Sequence, residues 1–561
     1  MHNMRRQSFP RRGGVALVLA GLLVGVAACG GSDDGGGGGG GGASEGGDTL
    51  VFGTSADPVS LDGAYVSDGE SLRAIRQMFE TLVTTEAGGT EIVPGLAEEW
   101  ESDEAGTAWT FTLREGVTFH DGTDFNAEAV CFNFDRWYNF AGVQQSPSVS
   151  YYWNTVFTGF AENEDPEQGE SLYASCEATD ETTAVINLTS PSASFLSGLA
   201  LASFSIASPK ALEEFGADDV SGSGEEPSFD GEYGRTEAVG TGPYQLEAFE
   251  PNNRLVMTRY DDYWGDAAKI ETVIFRPIAD GPARRLALES GEIQGYDLVA
   301  PADFEALEGA GFQLLERPAF NVGYIGFNTA QPPLDNPMIR QAVAHAINRE
   351  AAVSALYPEG SEVATQFMPP ALFGYSEDVP TYEYDLEKAK QLIAQSGVSN
   401  PTINFFYPTN VSRPYMPNPE ANFQAFQADL QAAGFTVNPT SAPWNPDYLD
   451  AVQTGGAGIY LLGWTGDFGD PDNFIGTFFR TPQEAWGPLD PAIYEDLETA
   501  RAESDEGART ALYEEANNTI MEFLPGLPYV HTSPRIAFAE GISGYEPSPV
   551  SIEEFALVSI D

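Results

Sequence analysis

The stretch IYLLGWTGDFGDPDNF, Ile459 to Phe474, is where the reading of this chain turns. Ile459 to Leu462 is an apolar run of the length expected for a buried strand. Asp467 stands just past its carboxyl end, the place where ligands sit in α/β sheets. Three aspartates crowd the loop: Asp467, Asp470 and Asp472. A metal loop, a catalytic carboxylate pair or a trap for a cation would each use them. The calcium-loop pattern requires a glycine at its sixth position and a glutamate at its twelfth, and neither is placed here.

Outward from this loop, strand and helix patterns alternate, which argues an α/β fold. Thr49 to Gly53 reads as an opening strand, and Thr402 to Tyr407 as another. Trp109, Phe111 and Leu113 alternate with polar residues, as in a half-buried strand. Residues 70–83 put Leu72, Ile75, Phe79 and Leu82 on one helical face. A helix over 336–356 begins with Asn336 as cap and Pro337 at its first position. Asn418-Pro419 repeats that start, and Gly434 closes that helix. Glu214 to Glu237 reads as a surface insertion or long loop, and Gly240 to Pro243 as a turn.

A chain of 561 residues exceeds one simple core, so two or three lobes are expected. With 26 basic and 84 acidic side chains the formal net charge is −58, which disfavours nucleic acid and anionic membrane surfaces as partners. The acid is spread along the chain and reads as a solvated surface suited to salty surroundings. Residues 1–28 read as a signal peptide: a basic start with Arg5, Arg6, Arg11 and Arg12, then the apolar run Val15 to Ala28, too short to span a bilayer. Val26-Ala27-Ala28-Cys29 resembles a bacterial lipobox, which makes Cys29 the expected lipidation site. Removing residues 1–28 takes away four Arg and no acid, so −58 becomes −62. Gly30 to Gly47 is nearly pure glycine and reads as a flexible tether, spanning roughly 25 Å by coil statistics.

Cys131 and Cys176 remain beyond the leader, and an oxidising compartment favours a disulfide between them over two separate buried thiols. No Walker A loop and no HExxH helix occurs, and His120, His345 and His531 lack zinc-ligand spacing, so neither a cofactor nor a metal is expected.

A series of motifs then converges. Pro94-Gly95-Leu96-Ala97-Glu98-Glu99-Trp100 precedes the run Trp109 to Gly122, and Gly240-Thr241-Gly242-Pro243-Tyr244 and Asp262-Tyr263-Trp264-Gly265 come later. Gly326-Phe327-Asn328 is followed by Ile339-Arg340-Gln341-Ala342 and Ala346-Ile347-Asn348-Arg349. In this order the series resembles the peptide/nickel/oligopeptide family of extracytoplasmic solute-binding proteins of ABC importers, over nearly all of residues 49–561. The resemblance implies a two-lobed Venus-flytrap α/β fold with an extra subdomain. Lobe I would comprise 49–93, 239–318 and 529–561, the subdomain 94–238, and lobe II 319–528, with a hinge at the crossings near 318 and 528. Such a receptor is a monomer that binds a peptide ligand, docks on ABC permease subunits and performs no chemistry.

Within that family the dipeptide-binding branch is the nearer likeness. Ser412-Arg413-Pro414-Tyr415-Met416-Pro417-Asn418-Pro419 looks like the segment carrying its arginine for the ligand carboxylate, and Gly463-Trp464-Thr465-Gly466-Asp467 like the one carrying its aspartate for the ligand amino group. Those roles fall on Arg413 and Asp467, while Phe468 departs from the branch, which has a polar residue there. Gly463 and Gly466 would admit the ligand close to the backbone. Trp464, Tyr415 and Trp444 are candidate walls, with core packing as the alternative, and Asp470 and Asp472 would fix the turn. The chemistry suits a zwitterion: an arginine fork matches a carboxylate, an aspartate matches an ammonium, and two extended residues span only about 7 Å between them. An oligopeptide, oligosaccharide, nickel chelate or haem ligand, and a secreted carboxylate-dependent hydrolase, are the alternatives.

Overall fold

Three large β-sheets, beside three two-stranded ones, divide the labour in the computed structural model, which describes residues 49–166, 168–224, 226–550 and 553–561. The signal peptide, Cys29 and the tether lie outside the described residues. The first sheet has seven strands in the order Tyr244–Glu250, Arg254–Arg259, Thr272–Pro277, Thr49–Thr54, Gly295–Tyr296, Arg535–Phe538 and Gln313–Glu316. Its centre is parallel, Thr49–Thr54 running alongside Thr272–Pro277, and its flanks are antiparallel. The second sheet has five strands, ordered Thr436–Pro443, Thr402–Thr409, Ile459–Thr465, Asn321–Phe327 and Gly526–Val530. The third is antiparallel and four-stranded: Ala97–Ser102, Ala108–Leu113, Thr183–Leu188 and Tyr173–Asp180. The helix Ala127–Tyr138 is joined to that sheet by a Cys131–Cys176 disulfide.

The two larger of the three hydrophobic cores among the described residues follow these sheets. One is built from residues of the first and third sheets, including Phe52, Phe111 and Phe275. The other collects residues around the second sheet, including Ile325, Phe405 and Leu461. The molecule is thus two-lobed, with the third sheet as an added subdomain on the first lobe.

The chain passes between these sheets along two adjacent crossings, residues 317–320 and 531–534. The Arg317 amide donates to the Pro534 carbonyl at 2.9 Å. The buried Asn321 carboxamide exchanges bonds with Thr532: Nδ2 donates to its carbonyl at 2.8 Å, and Oδ1 accepts from its amide at 3.0 Å. Beside this pair lies a buried ion network. Arg317 pairs with Asp297 at 2.5 Å and with Glu553, and Arg73 reaches Asp297 at 2.6 Å and Glu553 at 3.0 Å. Each buried charge has an opposite neighbour, which is what makes such burial tolerable.

Local starts follow the capping rules. Asn336 accepts from the Met338 amide with Pro337 next to it, Asn418 accepts from the Ala421 amide, and Gly434 takes the left-handed conformation at φ 102°. Two helix expectations are corrected. The helix expected over 70–83 spans only Gly69–Met78, because the Met78 carbonyl is taken by the Gly242 amide at 2.9 Å and the chain turns extended at Phe79. The helix expected over 336–356 is two, Pro337–Ala346 and Arg349–Leu356, because Asn348 leaves helical geometry and caps the second through the Ala351 amide. The stretch 214–237, expected as a surface insertion or long loop, carries a small ribbon, Val220–Gly222 against Pro227–Phe229.

Candidate functional site

Asp467 sits directly beyond the strand Ile459–Thr465, in the middle of the second sheet, and faces the subdomain. Its backbone amide donates to Asn473 Oδ1 at 2.7 Å, and its Oδ2 accepts from Asn473 Nδ2 at 3.2 Å. Trp464 Nε1 reaches the same Asn473 Oδ1 at 3.3 Å, so one asparagine ties the strand end to the aspartate. Across the lobe interface, the Tyr152 hydroxyl donates to Asp467 Oδ1 at 2.9 Å. Among the described residues no cation pairs with this carboxylate. Burial pushes it up to about 6, against the hydrogen bonds from Asn473 and Tyr152 that hold it down. Burial, then the Asp467 charge, drives Tyr152 well above the ordinary phenol range, so its hydroxyl stays a donor.

The other aspartates are already matched. Asp470 takes a two-pronged pair from Arg509, at 2.7 and 2.9 Å, and its side chain caps the turn at Asp472. Asp472 pairs with Arg480 at 2.6 Å. Cations anchor these two, which leaves Asp467 as the carboxylate of the loop with only neutral donors.

Arg413 lies on the loop between the strand Thr402–Thr409 and the helix Pro419–Ala433, bridged to Met416 by backbone bonds of 3.1 and 2.9 Å. Its guanidinium stands 4.7 Å from the Trp444 ring, and its Nε is buried without a partner. A charged donor so placed calls for an acceptor. Trp444 begins a π-helical turn, Trp444–Tyr448, and stacks on Tyr448.

Packing brings the two loops together. The Tyr415 ring fills the space over Gly463, whose Cβ would strike Tyr415 and the Val322 carbonyl. The space over Gly466 is taken by the rings of Phe320 and Phe474. The protein's own rings thus take the room beside both glycines. Tyr415 is buried at 7% exposure and belongs to the second core, so its ring works as packing between the loops, whereas Trp444 and Trp464 are half-buried. Phe468 crosses over. It packs into the first lobe's core, and the neighbouring Gly469 abuts Thr90. The lobes therefore meet at this loop.

The three histidines among the described residues are occupied elsewhere. His120 contacts the Gly242 carbonyl, His345 the Glu383 carbonyl and His531 the Asn321 carbonyl. Among the described residues no cluster of three His, Cys, Asp or Glu could hold a metal, and no helix is long and apolar enough to cross a membrane. Tyr152 and Asn473 escaped the sequence reading. The aromatic run Tyr151-Tyr152-Trp153 was a signal, but 315 positions separate Tyr152 from Asp467.

The family model for bacterial extracellular solute-binding proteins, family 5, matches residues 91–486. The chain belongs to this family. It is 32% identical to the dipeptide-binding protein of Escherichia coli (strain K12), covering 91% of this chain and 95% of that one. It is 29% identical to heme-binding protein A of Haemophilus influenzae, over 92% and 93%. Among solved structures, the ABC transporter-associated periplasmic binding protein DppA from Helicobacter pylori, in complex with peptide STSA, superposes with a TM-score of 0.75 at 28% identity, covering 91% of this chain and 98% of that one. Family membership fixes the class as solute-binding and the fold as that of the two-lobed periplasmic binding proteins. It also places the 463–474 loop within the matched span.

Proposed function

We propose that this chain is a lipid-anchored extracytoplasmic receptor that captures dipeptides or short peptides between its lobes and delivers them to an ABC-type importer. One observation carries the reading: Asp467 is a half-buried carboxylate at the lobe interface, desolvated by its surroundings, that no cation among the described residues neutralises. A ligand ammonium would supply the missing charge. At the other end, the Arg413 fork would take the ligand carboxylate, with Trp444 and Trp464 as walls and Tyr415 and Gly463 setting the spacing of the two loops. Ligand backbone groups would pair with exposed peptide groups, which ignores side-chain identity. Residues 49–93, 239–318 and 529–561 would form lobe I, 94–238 the subdomain and 319–528 lobe II, except that Tyr529 and Val530 finish the strand Gly526–Val530 of the second sheet, so the hinge would lie at the crossings 317–320 and 531–534. Cys29 would carry the lipid, the receptor would act as a monomer, and the energy for transport would come from the importer, with no reaction catalysed here.

The relative named for heme keeps a second ligand in view. Titration calorimetry of the purified chain against free, N-acetylated and C-amidated dipeptides, tetrapeptides and haem separates the readings. Free dipeptides are expected to bind best. Arg413→Ala and Asp467→Ala should each cost about 2–5 kcal/mol of binding. Blocked dipeptides binding as tightly as free ones, or haem alone binding, would overturn the proposal.

A further inference from the structure

Tyr152 holds an unusual post. It belongs to the helix Tyr151–Phe157 of the subdomain, is 4% exposed, and directs its hydroxyl across the lobe interface onto Asp467. A phenol has one donor and two acceptor lone pairs. The donor is spent on Asp467 Oδ1 at 2.9 Å, which leaves the oxygen able to accept. Asp467 has about four acceptor positions, of which Tyr152 takes one on Oδ1 and Asn473 one on Oδ2. Two positions on the carboxylate remain, and a third acceptor sits beside them on the tyrosine. A nitrogen at hydrogen-bond distance from both Oδ1 and the phenol oxygen closes a triangle with sides of about 2.8–2.9 Å.

We propose that Tyr152 is a specificity-determining residue whose hydroxyl oxygen accepts the third N–H of a primary ammonium, so that the site selects primary over secondary amines at the ligand's amino end. A primary ammonium has three donors to place. A secondary ammonium, as in an N-methylated or prolyl amino terminus, has two and gains nothing from the third acceptor. Because Tyr152 and Asp467 come from opposite lobes, the three-acceptor cradle exists only when the lobes meet, as the Phe468 and Gly469 contacts record. Recognition of the amine and lobe closure are thereby one event.

This inference rests on the ammonium reading of Asp467, and the test keeps the two apart. The full chain is titrated with alanyl-alanine, its N-methyl form and its N-acetyl form, as wild type and as Tyr152→Phe. The phenylalanine keeps the ring and removes only the hydroxyl. Wild type is expected to prefer the primary amine about ten-fold or more over N-methyl. Tyr152→Phe should weaken alanyl-alanine about ten-fold and the N-methyl form less than about two-fold, so the preference collapses. An unchanged preference in Tyr152→Phe overturns the proposal. If that variant does not fold, the wild-type measurement still decides, because equal affinity for primary and N-methyl ligands also overturns it. Strong binding of the N-acetyl form would instead sink the ammonium reading of Asp467 itself.

Discussion

Asp467 carries a charge that no cation among the described residues balances, and its acid–base behaviour follows from that. Its value of about 6 lies above the ordinary carboxyl value of 3.8. A raised carboxyl favours the fold most when protonated, so its contribution is full below about pH 4 and is lost as pH rises through 6. Binding an ammonium runs the other way, because the ligand requires the ionised form. Affinity for a free dipeptide should therefore be flat above about pH 7 and fall below pH 6, approaching ten-fold per unit. Asp467→Asn should bind weakly with little pH dependence, and its melting temperature should gain on wild type by about 1–3 °C between pH 4 and pH 7.5. Calorimetry and thermal scans across this range check both, and an affinity that rises on acidification would exclude the assignment. Asp470 is the counter-case in the same loop. Its carboxylate is buried against Arg509, so Asp470→Ala strands a buried guanidinium and should cost about 3–5 kcal/mol in urea denaturation. The sequence offered three similar aspartates. Their partners, Arg480 and Arg509, lie 8 and 39 positions away from Asp472 and Asp470, so only the fold assigns them.

At the scale of elements, strands were legible where apolar runs met punctuation. Ile459–Thr465 and Thr402–Thr409 extend the expected runs by two or three residues, and Asn418-Pro419 begins a helix where the capping rule puts it. Helix ends were less legible. Phe79 and Leu82 keep the helical spacing of 70–83, yet the Gly242 backbone claims the Met78 carbonyl from 164 positions away. Asn348 lies within a continuous apolar stripe, and its side chain breaks the helix by capping the next one. Glycine in the site loop was legible as a need for closeness but not for what. At Gly463 the close neighbours are the Tyr415 ring and the Val322 carbonyl. Gly463→Ala should thus push Tyr415 and its loop away from the strand. The expected cost is about 1–3 kcal/mol of stability, with a loss of ligand affinity through the displaced Arg413. Denaturation and binding measured on one preparation test this, and affinity loss without any stability loss would point to ligand contact at Gly463 instead.

At the scale of the whole molecule, charge and connectivity dominate. Of the few cations, Arg73, Arg136, Arg317 and Arg509 are paired with buried carboxylates, so the net charge of −58 is carried by the rest of the chain with fewer cations to separate its acids. Self-repulsion among those acids is screened by salt. The melting temperature should rise by about 5 °C or more between 0.01 and 1 M sodium chloride, and a flat response would mean that the acid is locally compensated. The sequence by itself determined the alternation of strands and helices, the family resemblance, and the chemistry available to Arg413 and Asp467, because periodicity, turn residues and short motifs are local. Only the tertiary structure decided that Asp467 meets Tyr152 across the lobes, that Asp470 and Asp472 are neutralised, and that the crossings at 317–320 and 531–534 lie side by side. Those facts depend on contacts between segments from 8 to 315 positions apart, and no local pattern encodes which charge finds a partner and which is left for a ligand.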